Sequence, residues 1–123
     1  MTSPTQRTLG ALRNLGYICA IVEKWNAYAR KRQDMFGIID IVALAPGRGV
    51  GGIQSCGTDF AGHHKKFTEE RAQECIQWLE TPGTFLEIWS WRKVKVKRGG
   101  KAMVYQPRVR EYTLADFIDP LQM

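Results

Sequence analysis

No apolar run in this sequence approaches the roughly 18 residues of a membrane-spanning helix, and its first residues lack the apolar core of a signal peptide. Both absences predict a soluble protein of the cytoplasm with no membrane partner. Cysteine is scarce and badly arranged for bridging: Cys19, Cys56 and Cys75 are odd in number, widely spaced and form no CxxC pair, which argues against a disulfide framework and a structural zinc site. Reduced, largely buried thiols are expected. The adjacent His63 and His64 lack the i, i+4 spacing of a helical zinc pair. There is no repeat, linker or low-complexity segment, so residues 1–123 read as one domain with one core. Acid is missing where base is dense: between Trp91 and Arg110 there is no Asp or Glu. With a formal net charge of +6, this segregation favours a polyanionic partner.

The stretch that is most unusual for what it contains is residues 34–56, DMFGIIDIVALAPGRGVGGIQSC. Residues 37–45 are apolar on both alternating faces except at Asp40, the pattern of a strand covered on two sides in an α/β sandwich. A lone ionised carboxylate in such a strand must neutralise, pair or bind a metal. Ala45-Pro46-Gly47-Arg48-Gly49 supplies turn chemistry, and residues 50–56 read as the returning strand. A turn centred on Gly47-Arg48 sets Asp40 opposite a residue between Gln54 and Cys56.

A Gly-Ile-Ile approach to an acid, a short hairpin and an apolar residue followed by Gln-Ser-Cys resembles the active-site hairpin of the PD-(D/E)XK nuclease superfamily. The order of elements and the small size are most similar to archaeal-type Holliday junction resolvases and related phage nucleases. The resemblance implies a restriction-endonuclease-like sandwich, a mixed central sheet flanked by helices, in a bacterial, archaeal or phage-infected cell. Asp40 matches the family Asp and Gln54 the Glu or Gln; Cys56 stands where the family has Lys. The resemblance also implies a further carboxylate from the first helix or its vicinity, for which Glu23 is the candidate, and allows a relocated lysine, Lys65 or Lys66.

The remaining residues leave alternatives open. Ser3 and Pro4 begin a helix with Leu9, Leu12 and Leu15 on its buried side, and residues 17–25 read as the first strand. Glu23, near that strand's end, either joins the site or is a solvated carboxylate paired with Lys24 or Arg30. Residues 26–33 form an exposed connection whose Arg30, Lys31 and Arg32, with Tyr28, either follow a phosphate backbone or are simply solvated. Asp34 converges on a divalent cation if the Phe36-Gly37 bend folds it back; otherwise it pairs with Arg32 or caps a turn. Mg²⁺ or Mn²⁺ would then be held by Asp40, Asp34 and the Gln54 oxygen. A helix is expected over residues 60–80, with Lys65 and Lys66 in its basic beginning, and Thr81-Pro82-Gly83 ends it. Residues 84–91 form a strand that runs on into alternating Lys and Val, turns at Gly99-Gly100 and returns over 103–112, with Pro107 marking an edge. Arg92, Lys93, Lys95, Lys97, Arg98, Lys101, Arg108 and Arg110 make this C-terminal β-hairpin basic, with Trp89, Trp91 and Tyr105 interleaved. It is either a nucleic-acid-binding ribbon or an edge protected by lysines over a tryptophan core. A short helical turn over 113–117 and a weakly ordered tail complete the chain.

These residues point to a divalent-metal-dependent DNA endonuclease, with branched DNA as the substrate the resemblance implies and a homodimer to make paired cuts. The rival is a catalytically degenerate DNA-binding or protein-inhibiting module, since Gln54 and Cys56 each remove a charge from the motif. A protein-interaction subunit with a basic ribbon is the third reading.

Overall fold

The computed structural model describes residues 2–117. Its first helix, α1 (Pro4–Asn14), starts where sequence chemistry puts it: Ser3 Oγ accepts the Gln6 N–H at 3.2 Å, and Pro4 occupies the first turn, where its missing N–H is harmless. Leu9 and Leu12 are buried, whereas Leu15 lies past the helix end and is exposed, contrary to expectation. Thr8 takes the third buried place, donating to the Pro4 carbonyl and accepting from Trp91 Nε1 at 2.8 Å.

Five strands make the central sheet, in the order β1 (Ile18–Ile21), β4 (Ile41–Ala45), β5 (Gly49–Cys56), β6 (Thr84–Lys95), β7 (Met103–Tyr112). It is mixed: β5 and β6 run parallel, and the other three neighbouring pairs are antiparallel. The parallel pair requires a crossover, which residues 57–83 supply. Leu9 and Leu12 of α1 pack with Ile41, Ile53 and Trp89 on one face of the sheet, while Phe67 and Cys75 from the crossover helices pack with Leu86, Ile88 and Tyr112 in a second cluster. The result is a single small α/β domain with helices against a mixed sheet.

Two expected strands are cut shorter than their apolar patterns suggested. The strand expected over 17–25 stops at Ile21, because its partner β4 begins only at Ile41 and the Ile21↔Ile41 pair ends the ladder. The next residues pair with each other as a separate hairpin, β2 (Lys24–Asn26) with β3 (Lys31–Gln33), so the expected exposed connection over 26–33 is an ordered arm. Its turn is closed by Asn26 Oδ1, which accepts the N–H groups of Tyr28 and Ala29 at 2.9 and 3.0 Å. The strand expected from Gly37 likewise begins only at Ile41. A Met35↔Ile39 bridge encloses a tight turn in which Phe36 (φ 58°) and Gly37 (φ 77°) are both left-handed, and Ile38 and Ile39 are buried there without joining the sheet. A β-carbon on Gly37 would meet only the flexible Arg71 side chain, at 2.8 Å from Nε, so it is the positive φ that favours glycine here.

The helix expected over 60–80 is broken into α2 (Phe60–Lys65), a π-helical turn (Lys66–Glu70) and α3 (Ala72–Glu80). Phe67 in the wide turn and Cys75 in α3, eight positions apart and so on one stripe even of a regular helix, both pack in the second cluster. Both are fully buried. β6 is buried through Trp91 and exposed at Arg92 and Lys93, and its pairing with β7 continues to Lys95↔Met103. Pro107 lies on edge strand β7, as expected. A 3₁₀ turn (Leu114–Asp116) closes the described chain with a Thr113–Asp116 capping box. The expected weakly ordered tail lies outside the described residues.

Candidate metal centre

The divergence of β1, β4 and the β2–β3 hairpin leaves three carboxylates at one point. Glu23 follows β1, Asp34 follows β3 and Asp40 precedes β4, and each offers an oxygen such that all three lie within 4.8 Å of one another. The Phe36-Gly37 turn is what folds Asp34 back toward Asp40, as its sequence suggested. Across the β4–β5 hairpin the ladder ends at Ile41↔Ile53, the Asp40 N–H also donating to the Ile53 carbonyl at 2.8 Å, and the Asp40 side chain reaches Ser55, a residue of the expected interval.

Asp40 is 3 % exposed and has a firm anchor: its Oδ2 accepts from the Ser55 N–H at 2.8 Å and the Ser55 hydroxyl at 3.1 Å. Ser55 is in turn within 3.0 Å of the Thr5 hydroxyl, which ties the site to α1. Asp34 Oδ2 accepts from Lys66 Nζ at 2.8 Å and Gln54 Nε2 at 3.0 Å. Glu23 Oε1 is paired with Arg32 at 3.0 Å, so the salt bridge expected to Lys24 or Arg30 goes to another cation of the same arm. Gln54 Oε1 faces His63 Nδ1 at 3.2 Å. In this arrangement the Gln54 oxygen expected to face a cation is turned to His63 and its amide nitrogen faces the carboxylates, the orientation that avoids setting oxygen against oxygen.

The acids titrate apart because their surroundings differ. Burial and then the neighbouring Asp34 push the Asp40 carboxyl up to about 8, despite the Ser55 N–H that favours its charge. Burial also opposes ionisation of Asp34, but hydrogen bonds from Asp40, Lys66 and Gln54 outweigh it and hold this carboxyl down, at about 2. The two carboxyls are thus pushed in opposite directions, Asp40 toward its neutral form and Asp34 toward its charged form. At the position where the resemblance implies lysine, burial with Asp59 and Asp40 nearby pushes the Cys56 thiol up to about 11, leaving it neutral. The ammonium in contact with the cluster belongs to Lys66, at the start of the π turn. Lys65, the other candidate, is exposed and makes none of these contacts.

Of the three acids, Asp34 lines a groove of about 440 Å³, together with Lys31, Arg32, Gln33, Gly37, Lys66, Glu70 and Arg71. Four of these eight residues are cations, and all four lie outside the C-terminal ribbon. Arg30 lies at the hairpin turn with φ 54° and is exposed. Arg92, Lys93, Lys95, Lys97, Arg98, Lys101 and Arg108 are also exposed, Arg108 with its guanidinium 3.9 Å from the centre of the Phe60 ring. Arg110 is half-buried and paired with Asp116 at 2.7 Å. Trp89 and Trp91 cannot stack on bases as they stand: they are 6 % and 8 % exposed in the core beside α1, their N–H groups donating to Glu87 and Thr8. Tyr105 is more open, with the Arg7 guanidinium 3.4 Å from its ring centre.

Ser55, His63 and Arg71 escaped the reading of the sequence. Ser55 lay inside the interval expected opposite Asp40 but was not singled out, and no local signal announces that both its N–H and its hydroxyl would reach that acid. A second buried carboxylate was missed too: Glu87 of β6 is 3.0 Å from Arg48 of the β4–β5 turn. No protein-family model, curated protein or solved structure matches the chain.

Proposed function

We propose that this protein is a divalent-metal-dependent DNA endonuclease with a restriction-endonuclease-like fold, hydrolysing phosphodiester bonds in branched DNA in the cytoplasm. The observation that carries the reading is the convergence of Glu23, Asp34 and Asp40 within 4.8 Å beside a groove lined with cations. An all-oxygen donor set suits Mg²⁺ or Mn²⁺. The raised Asp40 carboxyl supports the fit, since the fold alone leaves this acid short of positive charge.

Asp40, Asp34 and Glu23 would hold the ion, joined by the Gln54 carbonyl after a half-turn of its amide. When bound, the ion supplies a Lewis acid and a water of lowered pKa at the scissile phosphate. Asp40 would join that set as its carboxylate, held in place by the Ser55 N–H and hydroxyl. Lys66, already at the cluster's edge, sets an ammonium against charge that develops on the phosphate, the task the resemblance gives to the residue at Cys56. Lys31, Arg32 and Arg71 receive the backbone in the groove, and the cations of β6, β7 and their connection extend that surface. Paired cuts across a four-way junction need two such sites, hence a two-fold homodimer.

One observation favours a second reading, a nuclease fold that binds DNA or inhibits a protein without cutting. Among the described residues no buried polar side-chain atom lacks a hydrogen-bond partner, and Lys66 and Gln54 already satisfy Asp34. Incubating linear, flapped and four-way DNA with Mg²⁺, Mn²⁺ or EDTA separates the two. Metal-dependent nicking supports the nuclease; salt-sensitive binding with no cutting in either metal selects the second reading.

A further inference from the structure

The β2–β3 hairpin is a ten-residue segment, Lys24 to Gln33, with no acidic residue and four cations, Lys24, Arg30, Lys31 and Arg32. Its two aromatic rings are left in the open: Trp25 is 60 % exposed and Tyr28 at the tip is 102 % exposed, and neither stacks on another ring among the described residues. The turn that presents Tyr28 is held in shape by Asn26 Oδ1. Trp25 lies across the ladder from Arg32, on the face from which Arg32 reaches Glu23. Both stems of the arm end on the acidic cluster, Glu23 immediately before Lys24 and Asp34 immediately after Gln33. Three paired residues make an arm of only about 10 Å, so whatever the rings hold is held next to the carboxylates. The groove lined by Lys31, Arg32 and Lys66 joins the arm to the cluster.

We infer that this hairpin is a stacking arm for unpaired nucleotides, and that the substrate class is DNA with a single-stranded or splayed segment beside the scissile phosphate. This rests on the nuclease reading for the role of the cluster but not for the binding itself. An aromatic ring gains by stacking only where a base offers a free face; inside a continuous duplex both faces of every base are already covered. The cations on the same arm would hold the backbone of that strand, while the rings hold its bases. An arm of lysines and arginines alone would bind duplex as well, so the two rings are what select the unpaired form.

The test is fluorescence anisotropy of the full chain in EDTA, where no cutting occurs, with a blunt duplex, the same duplex carrying a single-stranded flap, and the flap strand alone. Replacing both rings, Trp25→Ala with Tyr28→Ala, should weaken flap and single-strand binding roughly ten- to a hundredfold, with blunt-duplex affinity nearly unchanged. Trp25→Phe with Tyr28→Phe should restore most of that affinity, which separates stacking from a folding defect. An unchanged flap affinity, or an equal weakening for the blunt duplex, would overturn the arm. Tighter ring-dependent binding of an RNA strand of the same sequence would overturn the assignment to DNA. Ring-dependent flap binding without metal-dependent cutting would uphold the arm and reject the nuclease; cutting with no effect of the rings would do the opposite.

Discussion

The Lys66 ammonium lies 2.8 Å from Asp34 Oδ2, although the two residues are 32 positions apart and arrive on different elements, the first turn of a π segment and the end of a two-stranded arm. Lys65, one position earlier, makes no such contact. Lys66→Ala should therefore slow metal-dependent cleavage by about 10²- to 10³-fold, the size of effect seen when one donor is removed from a developing charge. Lys65→Ala should leave the rate close to that of the unchanged chain. Single-turnover rates on a flapped duplex, with enzyme in excess, measure both; equal reductions would show that neither lysine has a private role. As this ion pair is partly open to water, the stability that goes with Lys66 should be small, about 1 kcal/mol or less.

Asp40→Asn should abolish Mg²⁺- or Mn²⁺-dependent cutting while keeping DNA affinity, and it makes a second prediction about stability. Folded Asp40 keeps its proton to about pH 8, whereas in the unfolded chain it ionises near the ordinary carboxylate value of 3.8. Between these values the unfolded state binds fewer protons. Stability from this group is therefore fully present below about pH 4 and is lost as pH rises through 8. In EDTA the thermal midpoint of the unchanged chain should fall by several degrees over this window relative to Asp40→Asn, which has no proton to lose. Parallel midpoints for the two proteins would show that Asp40 ionises normally in the fold.

The parts of this fold that could be read from the sequence are those decided by local chemistry. Ser3-Pro4 begins a helix, Thr81-Pro82-Gly83 ends one, and the apolar run broken by Asp40 returns as a hairpin whose register is fixed by the turn. Boundaries decided by partners were not legible. Nothing in residues 17–25 says that pairing ends at Ile21, because that limit is set by where β4 starts, about twenty residues later. The π turn at Lys66–Glu70 leaves no mark in the apolar spacing, since Phe67 and Cys75, eight positions apart, would share a stripe on an unbroken helix too. In the site, Asp40 was visible because a charge in an apolar strand is costly; Ser55 and His63 were not, since their polar atoms look ordinary until the fold brings acid and amide to them.

The pair of exposed Arg48 with buried Glu87 offers a test of the sheet's opposite face. Glu87 is 5 % exposed, bonded to Arg48 at 3.0 Å and to Trp89 Nε1 at 3.0 Å, and the Arg48 guanidinium lies 3.7 Å from the Phe85 ring centre. Arg48→Ala would leave a buried carboxylate with one donor, and should cost about 2–3 kcal/mol in urea unfolding, below the usual figure for a fully enclosed pair because Arg48 is partly solvated. Adding Glu87→Gln should recover part of this cost, as the amide carries no charge to bury. If the double variant is less stable than Arg48→Ala, the pair does not act through charge.

The exposed cations of β6 and the connection to β7 should declare themselves by salt dependence. Lys93, Lys95 and Lys97 are exposed and far in sequence from the carboxylates, so replacing all three by Gln removes ammonium groups from the DNA backbone without touching the candidate chemistry. For every phosphate that is no longer neutralised, the slope of log affinity against log salt should fall by about 1. Affinity at low salt should weaken equally for blunt and flapped DNA, since pairing with phosphate carries no preference between them. The cleavage rate at saturating enzyme should persist. A slope that does not change would place the DNA elsewhere, leaving the Lys31–Arg32–Arg71 groove as the surface to substitute next, and the lysines of β6 as guards of an exposed sheet edge.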